Sequence, residues 1–124
     1  MKDKSNIGKI GEEIASMYLK GKQYKILHRN FRQYADEIDI IAKDPASTLV
    51  FIEVKTMRQD SPAIAELKPE DNLTNAKLRK LKRSAQLFAG KHSELIDQEK
   101  GWRIDLVAIC LTLNDRTIQH YENL

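Results

Sequence analysis

Two runs decide the reading of this chain: Glu37-Ile38-Asp39-Ile40-Ile41-Ala42 and Leu49-Val50-Phe51-Ile52-Glu53-Val54-Lys55-Thr56. Both are rich in isoleucine and valine. Asp44, Pro45 and Ser47 lie between them, so they read as two strands joined in an antiparallel hairpin. In the second run both faces begin apolar, with Val50, Ile52 and Val54 on one and Leu49 and Phe51 on the other. That is the pattern of a central strand covered on both sides. Glu53 and Lys55 then enter a face that was apolar a step earlier. With the turn centred on Ala46, Asp39 falls opposite Glu53 and Glu37 opposite Lys55, and a slip of one residue would spoil the apolar match.

Two carboxylates about 5 Å apart repel by roughly 3 kcal/mol at an effective dielectric near 20. The residues leave two readings open: cross-strand ion pairs on a wet face, or acids gathered for a cation. Two acids facing each other with one lysine between them make a poor stabilising salt bridge. Glu12, on a preceding helix, enlarges the cluster to Glu12, Asp39, Glu53 and Lys55, three carboxylates against one ammonium. A divalent cation neutralises the excess, and oxygen-only ligands select Mg2+ or Mn2+ over zinc. A lysine beside such an ion can orient or deprotonate a water.

Outward from the hairpin, Ile7 to Lys20 reads as a helix with Ile7, Ile10, Ile14 and Met17 at three- and four-residue spacing and Gly21 as its stop. A second stripe, Gly8, Gly11 and Ala15, is small, and two interior glycines imply that another element approaches the backbone there. Glu12 sits at the edge of that narrow face. Tyr24 to Arg29 reads as an edge strand. Met57 to Leu73, with Pro62 and Pro69, reads as a mobile loop. Thr74 caps a helix running to Ala89, with Leu78, Leu81, Ala85 and Phe88 on one face and Gly90 at its end. Trp102 to Leu111 and Thr117 to Tyr121 complete the chain as strands joined at Asn114-Asp115. The expectation is a single α/β domain over residues 1–124, a central mixed β-sheet flanked by helices in the order α-β-β-β-α-β-β.

Composition excludes several classes. With 41% hydrophobic and 31% charged residues the chain is no disordered polyelectrolyte. Its longest apolar stretch, Leu106 to Leu111, falls far short of the roughly 18 residues of a membrane span. The start, Met1-Lys2-Asp3-Lys4, leads into no apolar signal region, and a lone Cys110 has no disulfide partner. A reduced, cytoplasmic protein without membrane attachment is expected. The net charge is only +3, but Asn75 to Ser93 holds no acid while Lys77, Arg79, Lys80, Lys82, Arg83 and Lys91 crowd together. Charge alone is equally consistent with a solvated helix face and with a polyanion footprint in which Lys77, Lys80 and Arg83 touch nucleic acid. His28, His92 and His120 lack metal-ligand spacing and read as core or surface residues. Arg103 and Asp105, flanking Ile104, read as a buried ion pair, and Trp102 and Phe88 as core.

Gly8-Lys9-Ile10-Gly11-Glu12, Asn30, the Glu37–Ala42 and Val50–Thr56 runs, the helix positions Lys77, Leu81, Ala85 and Phe88, and Arg103-Ile104-Asp105 with Ile118 and His120 together resemble the YraN-like family of small bacterial endonuclease-like proteins. That family is similar to the PD-(D/E)XK nucleases. The resemblance implies a restriction-endonuclease-like fold and Mg2+- or Mn2+-dependent hydrolysis of phosphodiesters in DNA. It further implies that Asp39, Glu53 and Glu12 ligate the metal, Lys55 positions the attacking water, and Lys77 contacts a substrate phosphate. Similarity of Gly8–Glu12 to Holliday-junction resolvases implies branched or single-stranded DNA and a homodimer. The alternative is a non-catalytic nucleic-acid-binding module, or an accessory subunit with a protein partner in a DNA-processing machine. The chain departs from the family at Asp36, where a glycine is usual before Glu37, and at Met57, where arginine is common.

Overall fold

The sheet is built outward from its apolar middle strand. The computed structural model describes residues 6–58 and 73–124. In chain order the elements are α1 (Asn6–Gly21), β1 (Lys25–Gln33), β2 (Asp36–Lys43), β3 (Leu49–Arg58), α2 (Asn75–Lys91), a 3-10 turn at Ser93–Leu95, β4 (Trp102–Leu111) and β5 (Arg116–Tyr121). The strands lie in the order β1-β2-β3-β4-β5, with β3 and β4 parallel and the other pairs antiparallel. This is the mixed sheet and the α-β-β-β-α-β-β order expected, with β3 at its centre.

Alternation along β3 sorts its side chains onto two cores. Val50 and Ile52 join Ile40, Ala42, Val107 and Ile109 under Ile14, Ala15 and Leu19 of α1. Leu49 and Phe51 join Ile104 under Leu81, Ala85 and Phe88 of α2. Phe88 meets Phe51 and Phe31 edge-on at centroid distances of 5.6 and 5.1 Å, and each such pair adds about 0.5–1.5 kcal/mol beyond area burial. The α2 start is set as expected, since Thr74 Oγ1 accepts from the Lys77 N–H at 3.2 Å.

In α1 the small stripe meets the sheet, as its interior glycines imply: Gly11, Ala15 and Leu19 are buried with Ile14, while Ile10 and Met17 are exposed. A Cβ on Gly11 would overlap the Thr56 hydroxyl and lie 2.7 Å from Thr56 Cβ. Two other expectations need correction. Gly90 does not end α2, which continues to Lys91 and closes when the His92 N–H donates to the Phe88 carbonyl. Met57 and Arg58, expected in a loop, extend β3 because β4 runs on beside them, pairing with Cys110 and Leu111. Residues 59–72 of the expected loop lie outside the described residues.

The Gly11 contact gives a direct prediction. Gly11→Ala gains up to about 1 kcal/mol of helix propensity, but overpacking against the central strand costs about 1–3 kcal/mol. The expected outcome is a lower Tm, partly restored by adding Thr56→Ala. A Tm raised by Gly11→Ala alone would contradict the packing.

Candidate metal and nucleic-acid site

The hairpin forms in the expected register. The ladder between β2 and β3 runs from Lys43↔Leu49 through Ala42↔Val50 and Ile41↔Phe51 to Ile40↔Ile52. It stops there, one step before Asp39 and Glu53 would face each other. Beyond that point β2 stays with β1 as far as Gln33↔Asp36, while β3 stays with β4 as far as Arg58↔Leu111. The two middle strands therefore part, and the acids of the hairpin line the fork.

Asp39 sits where the strands separate. It is 3% exposed, and its Oδ2 accepts the Val54 N–H at 2.8 Å. That bond bridges the fork and fixes the carboxylate next to Glu53. A backbone irregularity marks the same place: Asn30 has φ 53° midway along β1, between the Arg29↔Ile40 and Phe31↔Ile38 pairs. Asparagine tolerates this left-handed conformation better than most residues. Across the irregularity β2 changes side, with Ile38 packing in the α2 core and Ile40 in the α1 core. Asp39 is the residue between them.

Glu53 follows Phe51 onto the α2 face. It lines a cleft of about 490 Å³ whose walls include Glu37 and Asp36 of β2, Arg32 and Tyr34 of the β1 end, and Lys77, Lys80 and Leu81 of α2. Acids form one side and the α2 lysines the other. Arg32 Nε lies 3.6 Å from Glu37 Oε2. Lys55 is exposed and, two residues beyond Glu53 on an unbroken strand, shares its face. Glu12 is 4% exposed on the α1 side of the sheet, beside Gly11 and its contact with Thr56. It therefore lies on the opposite face of the sheet from Glu53 and Lys55. Of the α2 cations, Lys77 and Lys80 border the cleft, whereas Arg83 lies 3.7 Å from Asp36.

Asp36, the departure from the family pattern, has a structural task. Its Oδ2 accepts the Ser84 hydroxyl at 2.9 Å, while Gln33 Nε2 donates to the Ser84 carbonyl at 3.0 Å. These bonds lash the β1–β2 hairpin to the middle of α2 and set the width of the cleft. Neither contact was legible from local pattern, because both partners of each bond are distant in sequence.

A second polar cluster lies around Asp105, which is fully buried. Asp105 Oδ1 accepts from Arg103 Nε and from the Asn123 N–H, each at 3.0 Å, and Oδ2 lies 2.8 Å from His120 Nε2. Arg103 also donates to Asp44 Oδ2 at 2.5 Å and to the Tyr24 hydroxyl at 2.9 Å. Tyr18 closes the chain at 3.0 Å from His120 Nδ1. Burial would push the Asp105 carboxyl up, but hydrogen bonds from His120 and Arg103 outweigh it and hold the group below the usual carboxylate range. Burial also pushes the Tyr24 phenol up to about 12. Among the described residues Asp105, His120 and Glu122 bring ligand atoms within 4.8 Å of one another. Arg103 already pairs with Asp105 and lies 3.9 Å from Glu122, so the group reads as part of an ion-pair cluster closing the sheet.

A mixed five-stranded sheet with one helix packed on each face, its central hairpin opened at two carboxylates, makes the molecule an α/β domain. Within that class the chain belongs to the uncharacterised protein family UPF0102, whose model matches residues 11–109. It is 41% identical over 117 residues to a UPF0102 protein of Thermodesulfovibrio yellowstonii, covering 94% of this chain and 93% of that one. It is 40% identical over 107 residues to a UPF0102 protein of Geotalea uraniireducens, covering 86% and 78%. These matches bear out the YraN-like resemblance. Among solved structures it is similar to the chain in "Structure of EndoMS-dsDNA2 complex", with a TM-score of 0.45 and 12% identity over 84% of this chain; it spans 37% of that chain's length. Among the described residues no helix is long and apolar enough to cross a membrane.

Proposed function

We propose that this protein is a metal-dependent nuclease that hydrolyses phosphodiester bonds in DNA, branched or single-stranded, with Mg2+ or Mn2+ as its cofactor. The observation that supports this most is the fork: a buried Asp39 pinned on the Val54 N–H beside Glu53, with Glu53 itself sharing one cleft with Lys77 and Lys80. The donor set suits a hard divalent ion, since Asp39, Glu53 and Glu12 offer only carboxylate oxygens. Asp39 and Glu53 would hold it, with Glu12 reaching through the gap between β2 and β3. Such an ion supplies charge neutralisation at a phosphoryl oxygen and lowers the pKa of a water.

The chain's own residues do the rest. The Val54 N–H keeps the Asp39 carboxylate aimed before any ligand arrives, so no reorganisation is needed at the reacting centre. Lys55, on the Glu53 face, would donate from Nζ to the attacking water and orient it toward phosphorus. Lys77 and Lys80 would hold the phosphates on the far wall of the cleft, leaving the acids to face the scissile group.

Metal binding tests the donor assignment. Titration of the protein with Mn2+ is expected to give saturable binding that Asp39→Asn weakens at least tenfold; asparagine can still accept the Val54 N–H, so the fold is kept. Equal Mn2+ affinity in both proteins would remove Asp39 from the site. On the nucleic-acid side, Lys77→Ala and Lys80→Ala are each expected to lower DNA affinity and to reduce the log–log salt slope by about one. An unchanged slope would take α2 out of the interface.

A further inference from the structure

Tyr34 is out of place by every local criterion. It occupies the two-residue connection between β1 and β2, at φ 55°, a backbone region that glycine or asparagine fills far more readily than an aromatic residue. It is also 82% exposed, although a tyrosine ring is amphipathic and usually buries its body. A solvent-exposed aromatic held in an unfavourable conformation needs a reason outside stability.

Its surroundings supply one. Tyr34 borders the same cleft as Glu53, Lys77 and Lys80, at the rim where the β1–β2 hairpin meets α2. Lys91 Nζ lies over one face of the ring, 5.0 Å from its centroid and 3.5 Å from the hydroxyl, which steadies the ring, and at 82% exposure the other face stays open. The hairpin carrying the ring is fastened to α2 through Gln33, Asp36 and Ser84, so its position relative to the lysines is fixed. An exposed aromatic face beside a row of cations is the arrangement that binds single-stranded nucleic acid, phosphates on the cations and a base on the ring.

We infer that Tyr34 is a stacking platform for an unpaired nucleobase at the mouth of the cleft, so that the strand entering the site is single-stranded at that point. The inference rests on the nuclease reading above and gives it a substrate class: a single strand, or the unpaired part of a flap or junction. Intact duplex offers no base to the ring.

The test compares wild type with Tyr34→Gly and Tyr34→Phe. The probes are a short single-stranded DNA carrying 2-aminopurine and the matching duplex. Tyr34→Gly removes the ring and relieves the backbone, so its Tm should be at least that of wild type and misfolding is not the readout. The expected result is roughly tenfold weaker single-strand binding for Tyr34→Gly, in keeping with one lost stacking contact. Tyr34→Phe should bind as wild type does, and the 2-aminopurine emission should be quenched by wild type and Tyr34→Phe only. If wild type binds single strands in a salt-sensitive way and Tyr34→Gly binds them equally well, the platform is wrong and the nuclease reading stands. Equal loss of single-strand and duplex binding in Tyr34→Gly would also overturn it, since the residue would then only shape the cleft. If wild type binds no oligonucleotide, both readings fall.

Discussion

Lys55→Ala is expected to lower metal-dependent cleavage by about 10²–10⁴-fold, the usual contribution of a positioned proton-transfer group, while Mn2+ affinity and DNA affinity stay close to wild type. The asymmetry follows from position. Lys55 is exposed on β3 and packs in neither core, so truncating it should leave the fold intact. It shares a face with Glu53, yet as a cation it cannot be a metal ligand. A variant that binds metal and DNA but does not cut separates water activation from substrate capture, and the two are read by rate and by titration respectively. A cleavage rate within about threefold of wild type would place the water-orienting group elsewhere.

The largest stability effect is expected far from the cleft, at Arg103. Arg103→Ala would leave Asp105, fully buried, without its guanidinium partner and would cut the bonds to Asp44 and Tyr24. Breaking a buried pair by removing one member costs about 3–5 kcal/mol. The same cluster sets an acid limit on stability. The Asp105 and Asp44 carboxyls are both held below their ordinary value of 3.8, in each case against burial and chiefly by hydrogen bonds that include Arg103. A depressed folded-state value means the stabilisation is fully present above the unfolded value and is lost as pH falls through the folded one. Tm should therefore fall steeply below about pH 4, and the acid-side fall should be shallower in Asp105→Asn, which has one fewer carboxylate to protonate. Thermal melts across acid pH check both statements. An Arg103→Ala protein as stable as wild type would mean that the cluster is not what closes the sheet.

Much of this was legible in the sequence because it depends on local pattern. The Asp44-to-Thr48 turn and the apolar match of the two strands determine the hairpin register, and Asp44 duly accepts from the Ala46 and Thr48 N–H groups. The double-sided apolar run marked β3 as central, and Thr74 marked the start of α2. The Arg103–Asp105 pair was likewise legible, being two residues apart on one strand face. What escaped depends on distant partners. On α1 the small stripe marked the close approach, but hydrophobicity could not show that Ile10 and Met17 would be left outside. The fork needs each middle strand to prefer its outer neighbour, a competition that no single strand's sequence expresses. That Glu12 lies on the opposite face from Glu53 escaped as well, because it depends on which face of the sheet α1 covers. Tyr34 carries no local signal in the sequence, because its significance lies in a backbone angle and a neighbouring helix.

The central claim is tested most directly by cleavage. Wild type and Asp39→Asn, purified identically, are incubated with labelled four-way junction, flap, single-stranded and linear duplex DNA, with Mn2+ and with chelator. The account predicts Mn2+-dependent cutting by wild type of the substrates that carry unpaired strands, and its loss in Asp39→Asn with binding retained. Cutting of equal strength by both proteins would contradict it by tracing the activity to a contaminant. No cutting by either, with salt-sensitive binding intact, would contradict it in favour of a non-catalytic nucleic-acid-binding module.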